Sequence, residues 1–197
     1  MQGERFLKAI EAFDLANAKD PNQVVWKGET YPKELLYAQR MTECLNTYLP
    51  AASEALHLAA RCQHLCRWEI PRNTYPQDRK GYYAWRNALK EFHADKASEI
   101  LYRVGYEDTI IQEVRLLLSK KQMKHHADSQ VLEDVICLVF LQYYMDEFAE
   151  HTPEEKMITI LQKTWRKMSE RAQQEALHLS LSEKSQQLVS AALNVES

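Results

Sequence analysis

The stretch VLEDVICLVFLQYYM, Val131–Met145, decides the fold. On a helical wheel it is apolar on every side except at Glu133, Asp134 and Gln142, which predicts a helix with other helices packed around it. Its longest unbroken apolar run, Val135 to Leu141, falls far short of the roughly 20 residues that a membrane-spanning helix requires. The stretch therefore predicts the central helix of a bundle in water.

Working outward, the same periodicity recurs on both sides. Phe6, Leu7, Ile10, Phe13 and Leu15 predict a first helix that ends at Asp20-Pro21-Asn22, followed by a loop containing Gly28. Thr30 and Pro32 open a second helix, with Leu35, Leu36, Met41, Cys44, Leu45 and Tyr48 inward as far as Pro50. A third carries Leu58, Ala59, Cys62, Leu65 and Cys66 inward, and Pro71 and Pro76 then force an irregular stretch. A fourth runs from about Gly81 to Val104, stopped by Gly105, and Val114 with its neighbouring leucines marks a fifth. Beyond the quoted stretch, Thr152-Pro153-Glu154-Glu155 reads as a capping box that opens a long seventh helix. Ser180 with Glu183 repeats the signal for a short last one.

Four glycines and six prolines in 197 residues, against abundant helix formers, fit this all-α reading. With no linker-like tract, residues 1–197 are expected to form a single-domain helical bundle of about seven or eight helices. The four cysteines, Cys44, Cys62, Cys66 and Cys137, lie within helical apolar patterns without CxxC spacing and are expected to be buried thiols. The beginning, Met1-Gln-Gly-Glu-Arg5, has no apolar signal core, so a cytoplasmic protein with no membrane association is expected. A net charge of -3 argues against nucleic-acid affinity spread over the whole surface but allows a local basic patch.

The chemistry-bearing residues concentrate between Arg61 and His93. On the third helix, His57, Arg61, His64 and Trp68 share one face, opposite Leu58, Cys62, Leu65 and Cys66, which face the core. His93 falls on the inward arc of the fourth helix, and Asp134 lies on the helix that is apolar all round; each needs a partner. His64, His93 and Asp134 would suit Zn, Mn or Fe, and a structural ion pair is the alternative for Asp134. Arg61, Arg67, Arg72, Arg79 and Arg86 are interleaved with Trp68, Tyr75, Tyr82, Tyr83 and Trp85, a mixture suited to a phosphorylated small molecule or nucleotide, or to a loop stapled by arginine-aromatic stacking. Lys120, Lys121, Lys124, His125 and His126 read as a basic surface loop. The run Lys167-Met168-Ser169-Glu170-Arg171 is similar to the KMSKS loop of class I aminoacyl-tRNA synthetases, but it is expected inside the long seventh helix with no partner motif, so that activity is not expected.

The runs ELLYAQRM (Glu34–Met41), RCQHLCRWEIPR (Arg61–Arg72), FHADK (Phe92–Lys96) and TWRKMSER (Thr164–Arg171) resemble, over nearly the whole chain, a family of unknown function found in bacteria and fungi, some members of which carry the label glutamyl-tRNA synthetase. That resemblance implies no activity. A more distant likeness, carried by helix order and by HADKASEIL (His93–Leu101), is to the HD-domain superfamily of metal-dependent phosphohydrolases. It implies an HD-like bundle with His64, His93 and Asp134 as metal ligands, although Leu65 stands where an aspartate is usual and Tyr37 where the first histidine would be. Glu69 and His57 are then the side chains left to fill the missing places and the catalytic roles.

Two functions follow as expectations. One is a metal-dependent phosphohydrolase whose Arg61, Arg67, Arg72, Arg79, Arg86 and Trp68 hold the substrate. The other is a non-catalytic module that binds a nucleotide, RNA or a phosphorylated metabolite through the same residues. A third reading, an interaction protein with a structural polar cluster, predicts a conspicuous apolar surface patch.

Overall fold

The first helix, α1 (Glu4–Asn17), buries Phe6, Ala9 and Phe13 on one face. In the computed structural model, which describes residues 3–120 and 127–194, the loop expected next is a hairpin. Strand β1 (Gln23–Trp26) pairs antiparallel with β2 (Glu29–Pro32). The link is Lys27-Gly28, both at positive φ (50° and 83°), the geometry of a two-residue hairpin turn whose twist matches the strands. Val24, Val25, Trp26, Thr30 and Tyr31 supply β-forming side chains around it. It is the only sheet among the described residues, and the expected all-α class stands.

Helix α2 (Lys33–Tyr48) starts directly after Pro32, and the Oδ2 of Asp20 accepts the Glu34 N–H at 3.0 Å. Helix α3 (Glu54–Arg61) is capped by the Ser53 hydroxyl, which accepts from Leu56 N–H. It is shorter than predicted. The chain leaves the helix at Cys62 and reaches a left-handed conformation at Cys66 (φ 54°) before the 3-10 turns Arg67–Glu69 and Arg72–Thr74. The single polar face expected for His57, Arg61, His64 and Trp68 therefore does not exist. His64 and Trp68 lie beyond the helix, and every residue from Ala55 to Arg61 is buried, so this helix has no solvent face to offer.

Helix α4 (Arg79–Val104) is capped by Asp78, which accepts the Gly81 N–H at 2.6 Å, and it ends at Gly105 in the left-handed region (φ 89°) as the sequence predicts. Gly81 is required for a different reason. A Cβ there would stand 2.1 Å from the carbonyl oxygen of Pro76, so only glycine lets the irregular stretch lie against the first turn of α4. Helix α5 (Asp108–Ser119) packs Ile111, Val114, Leu117 and Leu118 inward, against α3 and α4.

The chain forms two compact units, residues 1–129 and 130–197. The second holds most of α6 (Ala127–Tyr143), which is buried at Leu132–Val135 and Cys137–Val139, together with α7 (Met145–Glu150), α8 (Glu154–Trp165), α9 (Glu170–Leu177) and α10 (Glu183–Asn194). The single long seventh helix is instead two, and Pro153 stands outside the first of them as its N-cap, with no side-chain cap bond. The run Lys167-Met168-Ser169-Glu170-Arg171 spans the break rather than lying within a helix, and Ser169 caps α9 by accepting from Ala172 N–H.

Candidate functional site

In the first unit, three charged or titratable side chains form a chain of contacts. Glu34 is contributed by the first turn of α2, His64 by the turn after α3, and Arg67 by the following 3-10 turn. The main chain that carries them is pinned at two points. Asn17, at the end of α1, accepts the Cys66 N–H at 2.9 Å, and Asp20 caps α2 at Glu34. Nη1 of Arg67 lies 2.9 Å from Nε2 of His64, and Nδ1 of His64 lies 3.1 Å from Oε2 of Glu34. A guanidinium only donates, so Nε2 accepts and the His64 proton is on Nδ1, donating to Glu34. The Tyr37 ring stacks on the imidazole at 4.0 Å between centroids. The His64 side chain keeps 23% of its surface exposed against 10% for Glu34, so the histidine is the less buried of the pair.

His93, on α4, places its ring 5.9 Å from that of His64. Its Nδ1 is 2.8 Å from the Leu65 carbonyl oxygen, which can only accept. The proton is again on Nδ1, and Nε2 is left as a buried acceptor with no partner. Removal from water lowers the pKa of His64 well below the usual histidine value, and the charges of Arg67, Arg86, Lys120 and Lys33 press it the same way. Burial first, and then His64, bring His93 down to about 3. Burial raises Glu34, opposed by Arg67, Lys33 and His93. Two neutral imidazoles thus sit in a field dominated by cations.

Around this chain lies a layer of arginine and aromatic rings. Arg67 covers Trp85 at 4.9 Å, and Trp85 donates from its indole to the Ile70 carbonyl at 2.9 Å. Arg72 donates to the carbonyls of Tyr75 and Asp78, at 3.1 and 3.4 Å, and so staples the loop through its backbone. Arg79 faces Tyr83 at 5.8 Å, while Arg86 reaches the Tyr82 hydroxyl at 3.5 Å.

Other residues singled out in the sequence are placed elsewhere. Arg61 is buried and clamps Asp14 with two nitrogens, at 2.7 and 2.5 Å, and its third reaches the Thr42 hydroxyl at 3.2 Å, tying α1, α2 and α3 together. His57 is buried edge-on to Phe6, with Nδ1 unpartnered. Glu69 is exposed and paired with Lys96 at 3.1 Å, and Trp68 is half-buried in its 3-10 turn. Asp134 belongs to the second unit. Its two oxygens accept from Ser169 N–H (2.8 Å), from the Ser169 hydroxyl (2.6 Å) and from Gln130 (2.9 Å). No group of three or more His, Cys, Asp or Glu side chains able to hold a metal ion forms among the described residues. Lys121, Lys124, His125 and His126 lie outside the described residues.

Glu34 and Lys33 gave no functional signal in the sequence, and Lys120 was read only as part of a basic surface loop. An acidic residue in the first turn of a helix is ordinary dipole compensation, and a lysine at a helix end or in a basic run is ordinary surface. Only the fold turns Glu34 inward and brings the Lys33 and Lys120 charges to bear on His64. No helix of the described residues is long and apolar enough to cross a membrane. No curated protein and no solved structure matches the chain. A family described as a domain of unknown function, DUF4202, matches residues 7–189, the span that carries both the helices of the first unit and the Glu34–His64–Arg67 contacts, and the chain belongs to that family.

Proposed function

We propose that the first unit binds a phosphorylated small molecule through Arg67 and Arg86 at the exposed edge of His64. The observation that carries this reading is the charge around that histidine. Arg67 lies against its Nε2 at 2.9 Å, and the positive charges of Arg86, Lys120 and Lys33 press its pKa down as well, while one buried carboxylate, Glu34, contacts it at 3.1 Å. A phosphate group would offset that excess, and guanidinium forks bind phosphate oxygens in pairs. Arg67 is held in place by Glu34 and Trp85, so little side-chain freedom remains to be lost on binding. The test is calorimetric titration with ribose 5-phosphate at low and moderate salt. Binding that weakens as salt rises, and that drops at least about ten-fold in Arg67→Ala and Arg86→Ala, supports the reading. No binding at low salt rejects it.

A second reading is favoured by the orientation of the histidines. Each donates its Nδ1 proton, one to a carboxylate and one to a backbone carbonyl, which is how proteins fix metal-binding imidazoles with Nε2 free to coordinate. In this reading His64, once released by Arg67, and His93 would hold a divalent Mn, Fe or Zn, which would supply Lewis-acid chemistry for phosphoester hydrolysis. Elemental analysis of protein purified without chelator decides it. Near-stoichiometric metal that disappears in both His64→Ala and His93→Ala supports it; no metal after incubation with Mn, Fe or Zn removes it.

A further inference from the structure

The N-terminal turns of α4 present Tyr82 and Tyr83 with 41% and 53% of their surface exposed. Their rings stand at 67° to each other, 5.7 Å between centroids, and Tyr82 stands at 48° to Trp85, so none is stacked flat on another. The cations near their faces, Arg72 over Tyr82 and Arg79 over Tyr83, are 6.0 and 5.8 Å away, at the outer limit of useful attraction. Arg86 joins this surface to the buried chain. One turn along α4 from Tyr82, it reaches the tyrosine hydroxyl at 3.5 Å, and the Tyr82 ring lies 6.1 Å from Trp85, whose face Arg67 covers at 4.9 Å. The rise of a helix places the two residues about 6 Å apart along the axis. An anion held between Arg67 and Arg86 would therefore have exposed aromatic faces beside it.

We propose that the ligand of this site is a phosphate monoester that carries a planar heteroaromatic ring, with the phosphate on Arg67 and Arg86 and the ring stacked on Tyr82 and Tyr83. The inference rests on the phosphate reading above and adds the class of molecule to it. A ring brought to this surface displaces only the loosely held Arg72 and Arg79 contacts, and either guanidinium can then sandwich it from the other side. Inorganic phosphate or a bare sugar phosphate would leave the tyrosines unused.

Adenosine 5′-monophosphate and ribose 5-phosphate differ by one such ring, so their dissociation constants, measured calorimetrically on the full chain, test the two readings separately. The expected result is that adenosine 5′-monophosphate binds about five- to a hundred-fold more tightly, the range that stacking on an aromatic side chain gives. Tyr82→Ala and Tyr83→Ala should each remove most of that advantage, read as the ratio of the two dissociation constants within the same variant, with circular dichroism and thermal unfolding as the control for folding. Equal affinities, with the tyrosine variants indifferent, would overturn the ring and leave the phosphate reading standing. Binding of neither molecule would overturn both. A tri-adenylate bound more than about ten-fold tighter than the monophosphate would overturn the small-molecule ligand in favour of an RNA strand.

Discussion

Arg67 donates to the Nε2 of His64 at 2.9 Å, and that bond fixes the protonation state of the whole chain of contacts. A protonated His64 would have N–H groups on both sides, one of them facing the guanidinium. The arginine therefore opposes protonation sterically and by charge.

Replacing Arg67 by glutamine should raise the His64 pKa toward the ordinary histidine value. Arg67 is the largest of the charges that hold it down, after burial itself. The same substitution should raise Glu34 further, because Arg67 is the first of the charges that lower it. Long-range proton-nitrogen NMR of the imidazoles reports both the pKa and the tautomer. A His64 titration identical in wild type and Arg67→Gln would show that the guanidinium is not seated on Nε2.

Asp134 predicts a loss of structure in the second unit rather than a loss of ligand binding. Its carboxylate accepts three hydrogen bonds at the break between α8 and α9, two of them from Ser169, which caps α9. Truncation in Asp134→Ala leaves those donors without this acceptor in a largely buried place, at a cost of about 2–4 kcal/mol. Hydrogen exchange should accelerate first in the amides of Ser169 and Ala172. Ribose 5-phosphate affinity should be unchanged in the same variant, whereas a metal ligand that serves the phosphate site would lose it.

The fold was legible from the sequence wherever periodicity or a terminator spoke for itself. Val131–Met145 is buried on most of its surface, and Gly105 stops α4 where expected. Two of the errors share a cause in hydrogen bonds between residues distant in sequence. The third helix stops at Arg61 in a structure where Asn17 holds the Cys66 amide. The seventh breaks where Asp134 takes the Ser169 amide, a contact across 35 positions. The hairpin carried a local signal, Lys27-Gly28 between β-forming runs, but the absence of a glycine or asparagine pair made it weak. For the site, His64, His93, Arg67 and Arg86 stood out because histidine, arginine and aromatics cluster there. Arg61 stood out equally and proved to be a clamp, since a spacing pattern does not distinguish an arginine facing Asp14 from one facing a ligand.

Gly81→Ala should destabilise the first unit by about 1–3 kcal/mol, the usual cost of forcing an extra methyl into a packed position. The added Cβ meets backbone, the Pro76 carbonyl, which cannot rotate away as a side-chain tip would. The 3-10 turn and the loop that Arg72 staples must therefore shift away from α4. Thermal unfolding measures the cost, and Trp85 fluorescence should report the displaced loop through its bond to Ile70. Unchanged stability and emission would mean that Pro76 does not approach α4 this closely. Gly105→Ala, strained at φ 89° but in open space, provides a comparison without a clash.

His93 makes the first unit sensitive to acid, with a sign set by the direction of its shift. In the unfolded chain it binds a proton near pH 6.5, whereas in the folded protein burial holds it neutral down to about 3. Between those values the unfolded state carries the extra proton, so stability rises with pH and is lost as pH falls. One such proton corresponds to about 1.4 kcal/mol per pH unit. Glu34, raised by burial, works in the opposite sense, and His64 in the same sense as His93, so a single curve mixes all three. The difference between wild type and His93→Gln isolates the term of interest, because glutamine can still donate to the Leu65 carbonyl but does not titrate. Urea unfolding at half-unit steps from pH 6.5 to 4.5 should show wild type losing stability relative to the variant at close to the one-proton slope. Parallel curves would mean that the imidazole charges without penalty in the folded state, and hence that its Nε2 is open to water or to a proton-accepting partner rather than sealed in the core.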